Sequence, residues 1–284
     1  MSKVAVITDS TAYIPEDLLK AHNITVAPQV LIWGEETFRD GVDIMPDDFY
    51  KRLATAKVMP STSQVAIVDM KAAFEKLLDS GYDVLGIFIS AKLSGTMQSA
   101  FQAREMLSKA ADKICIVDSN STAMAMGFQV LLAARAAKEG ANLTECQKLA
   151  EKAREHTGFY FVVDTLEFLR RDGRIGGAQA LIGSALNIKP ILELRDGRIG
   201  SVEKVRTKSK AMSRMIDLVV QRVAGRTPVR LASLHANAES EARGALDAAV
   251  LQLQPIETVF AAVSPVIGTH AGPGTIGLAF MAGM

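Results

Sequence analysis

Three stretches in the first half of the chain share one plan: a short β-branched apolar run, a polar Ser/Asp/Thr turn, then a helical pattern. They are "KVAVITDSTAYIPEDLLKAH", "YDVLGIFISAKLSGTMQSAFQAREMLSKA" and "KICIVDSNSTAMAMGFQVLLAARAAKEG". The apolar runs do not alternate with polar residues, as is required of strands covered on both faces, so the plan predicts parallel strands between two layers of helix. "NITVAPQVLIWG" reads as a further strand beside the first, and "MKAAFEKLLDSG" as a helix that stops at Gly81.

The second half is patterned differently. "YFVVDT", "IKPILELRDGRIGSVEKVR", "VRLASLHA" and "IETVFAAVSPV" lie among helical segments and include a hairpin signal at Asp196-Gly197, which predicts a mixed sheet. The expected fold class is therefore α/β in two domains. Residues 1–157 form a parallel α/β/α domain and residues 158–284 a mixed-sheet α/β domain. A length of 284 residues is enough for the core to divide. No Pro/Gly/Ser-rich linker separates the halves, so they are expected to pack closely around a cleft that holds the ligand. "RDGRIG" occurs at Arg171 to Gly176 and again at Arg195 to Gly200, and the repeat reads as coincidence: Gly173 suits a helix stop, whereas the second copy runs on into a strand.

A formal net charge of +1, with 22% charged and 49% hydrophobic residues, gives no reason to expect nucleic acid or a membrane surface as partner. Any charged ligand must be handled locally. Cys115 and Cys146 are the only cysteines, too far apart to suggest a disulfide framework or a zinc site. The N-terminus enters a strand-like run at once, and every later apolar run is interrupted well before spanning length, so the expected location is the cytoplasm.

Ser94-Gly95-Thr96 falls where a strand ends and a helix begins. Unpaired N–H groups and the helix dipole attract an anion there, while Ser94 as a simple helix cap is the reading that spacing alone favours. Ser61, Thr62, Ser63 and Gln64 crowd three hydroxyls and an amide before another expected helix; one hydroxyl suffices for a cap, which leaves the others for a ligand. Near the C-terminus, Gly272-x-Gly274-x-x-Gly277 matches the dinucleotide fingerprint formally, but Pro273 lies inside it and only seven residues follow, too few for a βαβ unit. A tight glycine turn fixing His270 at a strand end is the better account. Asp9 and Asp118 follow strands and read as turn or cap residues, so no metal is expected. Arg170, Arg171 and Arg174 cluster with His156 and Glu167 around a turn, either as a solvated face or as a docking patch.

Taken in order, "ITDSTAYIP", "PSTSQ", "SAKLSGTMQSA", "VDSNSTAMAMG", "LEFLRRDGRIGG", "NIKPIL" and "HAGPG" resemble the successive motifs of the DegV family of bacterial fatty-acid-binding proteins, which includes the lipid carriers of fatty acid kinase. The resemblance implies a non-enzymatic carrier with a long-chain fatty acid between its domains. The carboxylate would meet Thr62 and Ser94, with His270 close by, and no cofactor would be needed beyond the lipid. It also implies a partner fatty acid kinase that converts the bound carboxylate to an acyl phosphate for phospholipid synthesis. Arg170, Arg171 and Arg174 would serve as the docking face, and transient membrane contact would accompany lipid supply. Met97 stands where the family frequently has Tyr, which would place it at the mouth or wall of the acyl tunnel. The rival reading is a serine-dependent lipid or ester hydrolase using Ser94 and His270, for which the chain offers neither a nucleophile elbow nor an evident group to orient the histidine.

Overall fold

The structure is a computed structural model and describes residues 3–181 and 188–284. Asn187 of the "NIKPIL" motif lies outside the described residues. The first half runs β1 (Lys3–Asp9), α1 (Glu16–Ala21), β2 (Thr25–Ala27), β3 (Val30–Trp33), β4 (Glu36–Arg39), α2 (Pro46–Leu53), β5 (Ser61–Ser63), α3 (Ile67–Asp79), β6 (Tyr82–Phe88), α4 (Thr96–Met106), β7 (Ile114–Asp118), α5 (Ala123–Lys138) and α6 (Leu143–Ala153). The second half runs β8 (Thr157–Val162), α7 (Glu167–Arg171), β9 (Lys189–Arg195), β10 (Arg198–Val205), α8 (Lys208–Val223), β11 (Val229–His235), α9 (Glu239–Leu253), β12 (Glu257–Ala262), α10 (Pro265–Ala271) and β13 (Ile276–Ala282).

β2, β1, β6 and β7 form a wholly parallel sheet in that order. Successive side chains leave a strand on opposite faces, and both faces here are buried. Val4, Val6, Leu85 and Ile87 pack with α5 and α6, while Ile7, Val84 and Phe88 pack with Met70 and Phe74 of α3 and Ala100 of α4. That double burial explains the unbroken apolar runs. From β1 the chain goes to β2 on one side and later to β6 on the other, so the connections reverse direction between β1 and β6. Clefts in open α/β sheets form outside the carboxyl ends of strands at such a switch point.

The second sheet, ordered β10-β9-β8-β13-β11-β12, is antiparallel except for β11 with β12, and is thus mixed as the sequence predicts. α8 and α9 cover one face through Met215, Val219, Ala242 and Ala249. The other face meets α5, whose residues from Ala123 to Leu131 are all buried. A helix apolar all round belongs inside a protein. α5 therefore serves both sheets, and one apolar core runs from Val6 and Leu85 through Phe128 to Leu234 and Met281. The β9–β10 hairpin turns at Asp196-Gly197, both with positive φ, as expected. Gly197 is also obligatory for packing, because a Cβ there would collide with Ser90 Oγ.

Several local expectations are corrected. "NITVAPQVLIWG" is two strands: β2 pairs with β1, and after Pro28 the chain leaves that sheet so that β3 joins a small antiparallel sheet ordered β4-β3-β5. Ser61–Ser63 is a strand of this sheet, with Thr62 opposite Leu31, so none of its hydroxyls caps α3, which begins after Ala66 without a side-chain cap. His270 is in the last turn of α10, and only the glycines after it turn the chain into β13. His156 ends the turn just before β8, its Nδ1 2.9 Å from Ala282 O, whereas the arginines follow the far end of that strand, so it is no part of their cluster.

Candidate functional site

A cleft opens at the carboxyl edge of the parallel sheet, with about 930 Å³ free of atoms including its open mouth. Thr62, Ser94 and His270 all line it, brought from β5, the β6–α4 loop and α10. Ile89, Leu93, Phe159, Phe161, Leu234 and Val263 supply apolar wall. Phe159 and Phe161 stack with ring centroids 5.2 Å apart, both projecting to one side of β8.

Thr62 is fixed by its ladder pairing, and its Oγ1 lies 2.8 Å from His270 Nε2. On the other side of the imidazole, Nδ1 is 2.9 Å from Asp172 Oδ2, with the two side chains only 12% and 16% exposed. Those two atoms are close enough for a charge contact, and among the described residues neither has a hydrogen-bond partner. Burial alone would raise the Asp172 carboxyl. The facing His270, with Arg171 and Arg174, outweighs burial and holds it below the usual carboxylate range. Asp172 is the group facing the histidine that the sequence reading lacked. Its residue type is visible in "RRDGRIG", but its contact with a residue almost a hundred positions later is not.

Ser94 stands one residue before Gly95, the N-cap of α4, so it is not itself the cap. Its Oγ accepts from Thr96 N at 3.3 Å at the start of α4, shares a hydrogen with Thr96 Oγ1 at 3.0 Å, and still lines the cleft. Gln64 packs over Gly95, and a Cβ at that glycine would sit 3.1 Å from the Gln64 amide carbon. The pairing a Ser–His hydrolase needs is not made: His270 Nε2 engages Thr62, and Ser94 engages Thr96.

The three arginines diverge. Arg170 is exposed and paired with Glu167, and Arg171 lies over the Phe168 ring at 5.3 Å. Arg174 turns inward, donating to Asp172 O at 2.7 Å and to Leu93 O at 3.4 Å, and lines the cleft. Met97 is buried between α4 and the sheet with Met70 and Phe74 and is not among the cleft residues, so its expected place in the tunnel wall is corrected. Asp9 is fully buried and accepts from Thr11 N, Thr11 Oγ1, Gln29 Nε2 and Ile89 N. Burial raises its carboxyl even against those four donors. Asp118 accepts from Asn120 N and Ala91 N. Both carboxylates act as the turn residues their sequence context suggests. Among the described residues, no helix is long and apolar enough to cross a membrane.

A family model described as "Uncharacterised protein, DegV family" matches residues 3–283. Protein DegV of Bacillus subtilis is 37% identical over 278 residues, covering 97% of this chain and 98% of its own. Among solved structures, that of DegV from Bacillus subtilis, described as a fatty acid binding protein, superposes with a TM-score of 0.90 at 35% identity, covering 99% of this chain and 100% of that one. A DegV family protein from Thermus thermophilus, described by its fatty acid binding, gives a TM-score of 0.90 at 31% identity with 99% of each chain covered. On its sequence and its fold alike, this chain belongs to the DegV family.

Proposed function

We propose that the protein is a carrier that binds a long-chain fatty acid in this cleft, with the carboxylate at Thr62, Ser94 and His270. The observation that carries the reading is the convergence of those three polar side chains, from three separate elements, in a cleft otherwise walled largely by apolar residues. A buried carboxylate is costly unless donors replace its water. Thr62 Oγ1 and His270 Nε2 lie 2.8 Å apart; when Nε2 carries the proton it donates to Thr62, which leaves the Thr62 hydroxyl proton for the carboxylate, and Ser94 supplies a second hydroxyl. The tail provides affinity: at about 0.8 kcal/mol per buried CH₂, some fourteen methylenes contribute on the order of 11 kcal/mol before ordering costs. The relatives described as fatty acid binding support the ligand class.

The finer reading is that a partner fatty acid kinase phosphorylates the bound carboxylate. A carboxylate oxygen attacks the γ-phosphorus of the partner's ATP, and ADP leaves as the acyl phosphate forms. Exposed Arg170 and partly exposed Arg171 suit the docking face. Arg174, being turned into the cleft, links that face to Asp172 and hence to His270. Removing one hydrogen bond to a charged group costs about 1.5–3 kcal/mol, so Thr62→Ala, Ser94→Ala and His270→Ala are each expected to weaken fatty acid binding roughly tenfold or more. Arg170→Ala with Arg171→Ala should keep the lipid but lose acyl phosphate formation with the kinase. Equilibrium binding and a kinase-coupled assay check both; unchanged affinity in all three single variants contradicts the site.

A further inference from the structure

Among the polar side chains that line the cleft beside those assigned to the carboxylate, one is buried with its hydroxyl unpaired. Thr122 lines the cleft, is only 7% exposed, and its Oγ1 has no hydrogen-bond partner among the described residues. Thr122 is the N-cap of α5, and an N-cap threonine ordinarily turns its hydroxyl back onto the N–H groups of the first turn. Here it makes no such bond. Among the described residues, the first three N–H groups of this sixteen-residue helix, those of Ala123, Met124 and Ala125, have neither a side-chain nor a backbone acceptor; the first satisfied amide is Met126 N, bonded to Thr122 O. Ala123, which also lines the cleft, is held at a left-handed φ of 54° to begin the helix this way. A free hydroxyl, unpaired amides and the positive end of a helix dipole thus meet at the wall of an apolar cleft.

We infer that the start of α5 is a second polar subsite of the cleft, which takes a hydroxyl or keto oxygen carried along the acyl chain, so that the protein accepts oxygen-substituted fatty acids. The inference rests on the fatty acid reading of the cleft. Thr122 bonds none of Thr62, Ser94 or His270, so the subsite is independent of the carboxylate donors. The hydroxyl of Thr122 can donate or accept and the amides can only donate, so the subsite takes an oxygen acceptor; with the single carboxylate of the lipid assigned to Thr62, Ser94 and His270, that acceptor is a neutral oxygen within the chain.

The test uses the full-length protein, stripped of lipid, with hexadecanoic acid and its series of monohydroxy positional isomers. Thr122→Val preserves shape and removes the hydroxyl; Thr122→Ser restores it. At least one isomer is expected to lose tenfold or more in affinity in Thr122→Val and to recover in Thr122→Ser, while hexadecanoic acid binds all three proteins within about twofold. If every hydroxy isomer responds to Thr122→Val no more than hexadecanoic acid does, the subsite holds an ordered water only and the inference is wrong. If the unaltered protein binds neither hexadecanoic acid nor any isomer, the fatty acid reading itself fails and takes the subsite with it.

Discussion

At the scale of single residues, the account turns on the line Thr62, His270, Asp172. Asp172 touches no proposed ligand atom; it faces the imidazole and is tied to the neighbouring arginines, to Arg171 through its carboxylate and to Arg174 through its carbonyl. It is a positioning residue for His270. Asp172→Asn keeps the shape and removes the charge, and the expected outcome is fatty acid release faster by about tenfold with an unchanged far-UV spectrum. Stopped-flow release checks it, and an unaltered rate contradicts the positioning role. Thr62, Ser94 and His270 could be read together as one site only through the family's motifs, because spacing alone favoured a cap for Ser94 and placed His270 no more closely than at a strand end. Asp172 was not legible as a partner, since nothing local marks a contact made across the fold. Thr122 was equally hidden: an N-cap threonine looks the same in a sequence whether or not its hydroxyl turns back to the helix.

At the scale of elements, α10 must hold His270 in register with β5, and Asp40 does much of that. Its carboxylate accepts from Ser264 Oγ at 2.7 Å and Val266 N at 3.3 Å at the start of α10, and from Ser10 Oγ at 2.6 Å beside β1. Burial is the main cause that pushes Asp40 up to about 6, against those hydrogen bonds. A carboxyl whose folded value is raised above the unfolded one binds its proton more readily when folded. Its contribution to stability is therefore full below the unfolded value of about 4 and is lost as pH rises through about 6. The span corresponds to an amount on the order of 3 kcal/mol. Asp40→Asn should accordingly show a stability that falls less steeply than the unaltered protein's between pH 4 and 6, measured by urea unfolding; parallel profiles contradict this. The strand-turn-helix units were readable because their pattern is local. β3 and β5 were not, because three- and four-residue strands carry too little pattern, and Pro28 was the one sign that the chain changes sheets.

At the scale of the whole molecule, the parallel and mixed sheets were both foreseen, because double burial and hairpin chemistry each leave a direct trace in sequence. What sequence did not reveal is that α5 is shared. Its buried residues bind the two sheets into one core, and its first turn reaches the cleft that the sheets enclose. The cleft is thus walled by elements from both halves, which suits a ligand enclosed along its length with its polar end at the strand termini. A lipid held by some fourteen buried methylenes should survive purification. The most direct test is mass spectrometry of an organic extract of the purified protein, compared with extracts of the Thr62→Ala and His270→Ala variants. The account predicts about one long-chain fatty acid per unaltered molecule and markedly less in the variants; an unaltered protein free of fatty acid that also fails to take it up when offered would contradict the central claim.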